Sequence, residues 1–112
     1  MNNETMNEQN LELYKLLSDI CKALANPSRI EIVEILNKGE LNFGEILKIL
    51  NISKSNLSQH LSVLVSNGLI IQRKEGNNSY FRLSSVKVAT ACLIMREVLI
   101  ENLNNKLVLL NK

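Results

Sequence analysis

Tryptophan is absent from the 112 residues; phenylalanine, tyrosine and cysteine occur twice each, glycine four times, and histidine and proline once. With so few breakers the chain is expected to be mainly helical. No apolar run approaches the ~20 residues needed to span a bilayer, so no membrane partner is expected. Residues 1–10, Met-Asn-Asn-Glu-Thr-Met-Asn-Glu-Gln-Asn, hold neither a cationic start nor an apolar stretch and do not read as a secretory signal. A cytoplasmic location is the expectation, and there Cys21 and Cys92 rest as thiols. There is no Gly-rich phosphate loop and no carboxylate pair in an evident cleft. A Cys–His pair would have to recruit the lone His60, with nothing to supply an oxyanion site. An enzyme is therefore not expected.

What is present suits one domain, or one domain with an oligomerisation element, since 46% of residues are hydrophobic and a core can form. The net charge is only +2, but it is unevenly placed. Residues 1–20 hold Glu4, Glu8, Glu12 and Asp19 against Lys15, whereas residues 53–83 hold Lys54, Arg73, Lys74 and Arg82 against Glu75. Positive charge thus collects in the second half, as an electrostatic footprint for nucleic acid should. The 16 asparagines are scattered and read as compositional bias, not as a low-complexity segment.

The most informative stretch is Ser53-Lys-Ser-Asn-Leu-Ser-Gln-His-Leu-Ser-Val-Leu-Val-Ser-Asn-Gly68. Leu57, Leu61, Leu64 and Val65 recur at helical spacing and make one buried stripe. The other face carries Lys54, Ser55, Asn56, Ser58 and Gln59 near the helix start. Amides and hydroxyls there suit base edges and phosphate oxygens, though an ordinary polar surface helix would look similar.

The flanking segments give this helix a context. Residues 1–7 are polar and expected to fray. Residues 8–25 have apolar rows Leu13, Leu17, Ile20, Leu24 and Tyr14, Cys21, Ala25. Asn26-Pro27 restarts a helix with Asn as N-cap and Pro at the first position. Ile30, Val33, Ile35 and Leu36 are its expected apolar positions, with Gly39 as the C-terminal stop. After a possible strand stub at Glu40-Leu41, Asn42 and Glu45 form a capping box opening a short helix to Leu50. That helix and the one from Ser53 make a helix-turn-helix over 42–67. Two β-type runs, residues 69–74 and 79–83, flank Glu75-Gly-Asn-Asn78 and predict a hairpin wing over 69–83. A last helix over 84–106 has two apolar faces, Val88, Cys92, Met95, Leu99 and Ala89, Leu93, Ile100, Leu103. The two terminal helices both carry more apolar surface than one small core covers. They are expected to pair with each other and with a second protomer.

These segments carry three family motifs. Leu24-Ala-Asn-Pro-Ser-Arg-Ile-Glu-Ile32 resembles the L-A-D-P-T-R-L-x-I signature of the ArsR/SmtB family of winged-helix repressors. Ser53 to Leu64 is similar to that family's S-x-S-x-V-S-x-H-L-x-x-L recognition helix. Gly68-Leu69-Ile70, Arg73-Lys74-Glu75-Gly76 and Tyr80-Phe81-Arg82-Leu83 resemble its wing. The likeness covers roughly residues 15–105. It implies a mainly α (α+β) winged helix-turn-helix, homodimeric through its first and last helices. It further implies repression from an operator inverted repeat in double-stranded DNA, relieved by an inducer.

On that resemblance Lys54, Ser55, Asn56, Ser58, Gln59 and His60 lie on the recognition helix, and Arg73, Lys74, Asn77, Asn78 and Arg82 on the wing. Asn56 and Gln59 have amides able to pair bidentately with adenine. Ser55 and Ser58 would reach phosphates or bases, and the four basic residues would neutralise phosphates. Asn77 and Asn78 would enter a minor groove, or else only satisfy a turn that tolerates φ > 0. His60, beside Leu57, Leu61 and Leu64, reads as a core-edge residue anchoring the helix or a phosphate. It has no second ligand at i+3 or i+4 to make a metal site.

The family's metal motifs are missing. Where many members have Cys-Val-Cys, this chain has Leu41-Asn-Phe-Gly-Glu45, and Val86 to Lys112 contains no His and no Asp. No metal and no cofactor is expected. Cys21 and Cys92 remain, either as small buried residues or as a thiol sensor of reactive sulfur, an oxidant or arsenite, the latter by likeness to other members. A winged-helix dimer used as a protein-interaction module, or a ligand-independent regulator, is the alternative function.

Overall fold

The computed structural model describes residues 3–111, with side chains described from residue 7. In chain order the elements are α1 (Asn3–Ala23), α2 (Pro27–Leu36), β1 (Leu41–Asn42), α3 (Phe43–Leu50), α4 (Lys54–Ser66), β2 (Ile70–Glu75), β3 (Asn78–Leu83) and α5 (Val86–Leu110). The first helix begins at Asn3, within the segment expected to fray, a stretch with no Pro or Gly to interrupt it. The expectation for Met1 and Asn2 lies outside the described residues.

The helix ends are set by side chains. Asn26 Oδ1 accepts from the amides of Ser28 and Arg29, at 2.9 and 3.2 Å, with Pro27 in the first turn of α2. Asn42 and Glu45 close the capping box of α3, each side chain accepting from the other residue's amide at 2.8 and 3.0 Å. α3 stops at Asn51, in the left-handed region at φ 54°, and only Ile52 separates it from Ser53, the N-cap of α4. α4 ends in a Schellman motif. The amide of Leu69 donates to Leu64 O and that of Gly68 to Val65 O, both at 3.0 Å, with Gly68 at φ 72°. The C-caps of α2, α3, α4 and α5 are Asn37, Asn51, Asn67 and Asn111.

The core is built where α2, α3 and α4 meet the base of the wing. Ile32, Val33 and Leu36 from α2, Ile46 and Leu50 from α3, and Leu57, Leu61 and Leu64 from α4 close on Leu69, Ile70 and Phe81. In α2 Ile32 is buried with Val33 and Leu36, whereas Ile30, expected inside, is exposed. The helix packs against α3, α4, α5 and β3, so its buried strip is broader than one row and centred on Ile32 and Val33.

β1, β3 and β2 form an antiparallel sheet in that order, with Asn42 opposite Tyr80 and Tyr80 opposite Arg73. Glu75 pairs with Asn78, so the wing turns on Gly76-Asn77 alone, with Gly76 at φ 62°. Neither Asn77 nor Asn78 has a positive φ. The turn therefore needs its glycine but not its asparagines.

The terminal helices are scarcely covered. In α1, from Asn7 onward, only Ile20 and Ala23 are half-buried or buried, and in α5 only Val88, Ala89 and Cys92 are. The radius of gyration is 17.8 Å, against about 13 Å for a compact chain of this size.

Candidate nucleic-acid interface

The N-terminal half of α4 faces solvent with every predicted reader except one. Lys54, Ser55, Asn56, Ser58 and Gln59 are exposed, while Leu57 and Leu61 are buried on the opposite side. Ser53 Oγ accepts from the Asn56 amide at 3.1 Å, which fixes the first turn and so the direction of these side chains.

Beside this face runs an open groove of about 650 Å³ between α4, the start of α3 and the wing. Ser58, Ser62 and Ser66 line it from the helix, and Gln72, Asn77, Asn78 and Ser79 from the wing; no charged residue contributes. Gln72 Nε2 donates to Ser79 Oγ at 3.2 Å across the strands. Ser62, Ser66, Gln72 and Ser79 were not picked out from the sequence. The signal was there: Ser62 and Ser66 continue Ser58 at i+4 and i+8, and Gln72 alternates with Lys74 on one face of β2.

Strand alternation separates the wing's cations. Lys74 shares its face with Gln72 and Ser79, which line the groove, whereas Arg73 and Arg82 lie on the other face. Arg73 is paired there, through both terminal nitrogens. It donates to Glu40 Oε1 at 2.7 Å and to Glu75 Oε2 at 2.5 Å, and its guanidinium lies 4.5 Å from the Tyr80 ring centroid. Those two hydrogen bonds push the Arg73 pKa further up. Bonding to Arg73 in turn holds the Glu40 carboxyl below its ordinary value.

His60 also stands apart from the exposed readers. It is half-buried, with Nδ1 3.4 Å from a terminal nitrogen of Arg29, whose Nε donates to Ala23 O at 2.6 Å. Burial, and secondarily the Arg29 charge, lower its pKa. The structure thus places His60 as the contact between α4 and the first turn of α2.

The thiols are unpaired. Cys21 is exposed, unlike a core cysteine, and Cys92 is half-buried against the core. Burial, and then the Glu34 charge, raise the Cys92 pKa. Among the described residues no three His, Cys, Asp or Glu side chains cluster as metal ligands, and no helix is long and apolar enough to cross a membrane.

A capped helix-turn-helix followed by a hairpin, with a third short strand on the hairpin's far side, defines a winged helix-turn-helix protein. The profile of the bacterial regulatory proteins of the arsR family matches residues 26–72, from the N-cap of α2 into β2. The chain is 34% identical to the HTH-type transcriptional regulator Rv0081 of Mycobacterium tuberculosis, over 88% of this chain and 87% of that one. The crystal structure of Rv0081 superposes with a TM-score of 0.77, covering 85% of this chain and 96% of the other. An arsenical resistance operon repressor of Staphylococcus xylosus is 42% identical over 63% of this chain and 68% of its own. The solution structure of the homodimeric winged helix-turn-helix DNA-binding domain of Mb0332 from Mycobacterium bovis has a TM-score of 0.78 at 29% identity, covering 87% and 90%. This chain belongs to the arsR family of transcriptional regulators.

Proposed function

We propose that the protein is a homodimeric, sequence-specific repressor that binds an operator inverted repeat and is released by an inducer. The observation that carries this is the exposed polar first half of α4 beside an uncharged groove and the wing. Lys54, Ser55, Asn56, Ser58 and Gln59 enter the major groove, with Asn56 and Gln59 reading base edges. Lys74 neutralises a phosphate, and Asn77 and Asn78 lead the wing tip into the adjacent minor groove. His60 serves from behind, as an anchor of α4 on α2.

Two copies are required on physical grounds. The apolar surface of α1 and α5, including Leu17 at 56% and Leu99 at 55% exposure, is far more than a monomer leaves in water. An inverted repeat needs two α4 helices one turn of DNA apart, and a dimer joined through these terminal helices is the arrangement proposed to supply them. For the inducer, the available sensing chemistry is thiol chemistry at Cys21 and Cys92, answering to reactive sulfur, an oxidant or arsenite.

Fluorescence anisotropy with DNA from upstream of the protein's own coding region tests the proposal. The expected result is a dissociation constant of roughly 10⁻⁸ M or tighter with a steep salt dependence. Absent or salt-insensitive binding would refute it and favour a protein-interaction module.

A further inference from the structure

Arg73 is a cation on a wing, and the simplest assignment for it is phosphate neutralisation. Its surroundings argue otherwise. Two carboxylates, Glu40 and Glu75, sit on one guanidinium, so both of its terminal nitrogens are already bonded within the protein before any phosphate approaches. Its face of the sheet is the one turned from the α4 groove.

The register shows what the side chain accomplishes instead. Tyr80 lies on the central strand, with Arg73 opposite it on β2 and Asn42 opposite it on β1. The guanidinium lies over the Tyr80 ring and reaches Glu40, which directly precedes β1, so one side chain spans the full width of the sheet. β1 is short, only Leu41–Asn42, and its second residue is also the N-cap of α3. Anything that fixes β1 to β2 therefore fixes the wing to the first helix of the helix-turn-helix.

We propose that Arg73 is a positioning residue, a brace that joins Glu40, Tyr80 and Glu75 across three strands and holds the wing at the angle to α3 and α4 that DNA binding uses. The inference rests on α4 and the wing being the DNA-binding surface. Its physical basis is pre-organisation, since a wing already held in place loses less freedom on binding. A guanidinium suits the task because its planar fork donates in two fixed directions while its flat face stacks on a ring; an ammonium is a compact point charge with neither the fork nor the flat face.

Arg73→Lys and Glu40→Gln separate a brace from a phosphate contact. Arg73→Lys keeps the charge and loses the fork. Glu40→Gln removes a negative charge near DNA, which by electrostatics alone should tighten binding. A brace predicts that both variants weaken operator binding about tenfold, with the salt slope unchanged. It also predicts faster amide exchange of the β2–β3 ladder around Arg73 and Tyr80 in the DNA-free protein. Arg73→Lys matching the wild type in affinity and exchange would overturn the brace, as would Glu40→Gln binding more tightly with a steeper slope. If the wild type binds no DNA, the repressor reading fails, and the exchange measurement still decides whether the brace exists.

Discussion

The imidazole of His60 and the guanidinium of Arg29 meet at 3.4 Å, and the same guanidinium holds the Ala23 carbonyl at the end of α1. One side chain thus links the recognition helix to both helices that precede the helix-turn-helix. A guanidinium only donates, so His60 Nδ1 accepts and the ring is neutral with its proton on Nε2.

A pH dependence follows. The folded pKa of His60 is lowered from 6.5, so near and below that pH the unfolded chain binds more protons than the folded one. Stability from this site is complete above about 6.5 and is lost as pH falls through the lowered folded value. Thermal unfolding followed by circular dichroism from about pH 8 to about pH 5 should show the wild type losing more than His60→Gln, which keeps a neutral acceptor. Parallel curves would rule the link out.

Base reading and phosphate attraction respond differently to truncation. Gln59→Ala is expected to lose about 1–3 kcal/mol of discrimination at one base pair while other positions keep their preference. Lys74→Ala should weaken binding to all sequences alike and reduce the salt slope by roughly 0.9. Anisotropy over an operator variant series at several salt concentrations measures both.

The pairing of terminal helices is tested at Leu99, which is exposed on α5. Leu99→Glu places a charge in the proposed interface and should populate monomer in analytical ultracentrifugation at micromolar concentration, with the helical content of the winged core retained. A variant that stays fully dimeric would place the interface elsewhere.

The thiol proposal has two readouts. Because burial raises the Cys92 pKa above 9.0, its alkylation rate should still be climbing at a pH where an ordinary thiol has levelled off. The Cys21→Ser, Cys92→Ser double variant should bind DNA normally and no longer release it on treatment with polysulfide, oxidant or arsenite. Full release by the double variant would exclude both cysteines as sensors.

The turn between α3 and α4 depends on Asn51, the described non-glycine residue with positive φ. Asn51→Ala should cost about 1 kcal/mol in urea unfolding, because Cβ disfavours the left-handed region. Asn51→Gly should be neutral within about half a kcal/mol.

Much of this fold was legible because its signals are local. Asn26-Pro27, the Asn42–Glu45 capping box and the Leu57, Leu61, Leu64 stripe each state their structure within a few residues. What was not legible depends on residues far apart in the chain. Nothing near Arg73 announces Glu40, 33 residues earlier, and nothing near His60 announces Arg29, 31 residues earlier. Arg73 was therefore read as a phosphate neutraliser, and His60 as a core-edge anchor of the helix or of a phosphate, without the partner either one has in the fold. The core position of Ile32 was missed for a related reason, since a helix packed by four neighbours does not follow a single apolar row. The groove serines were overlooked because an uncharged lining carries no electrostatic signature.

Asparagine closes all four helices from α2 to α5 and opens two of them. It is among the residues best suited to an N-cap, and it tolerates the left-handed conformation better than most side chains. Helix interiors would be weakened by the same residue. Six of the 16 asparagines stand at helix ends, where the residue is at home, while Asn7, Asn10, Asn56, Asn102, Asn104 and Asn105 lie within helices. Those ends in turn determine where each helix starts and stops, so the enrichment has become part of the fold's specification.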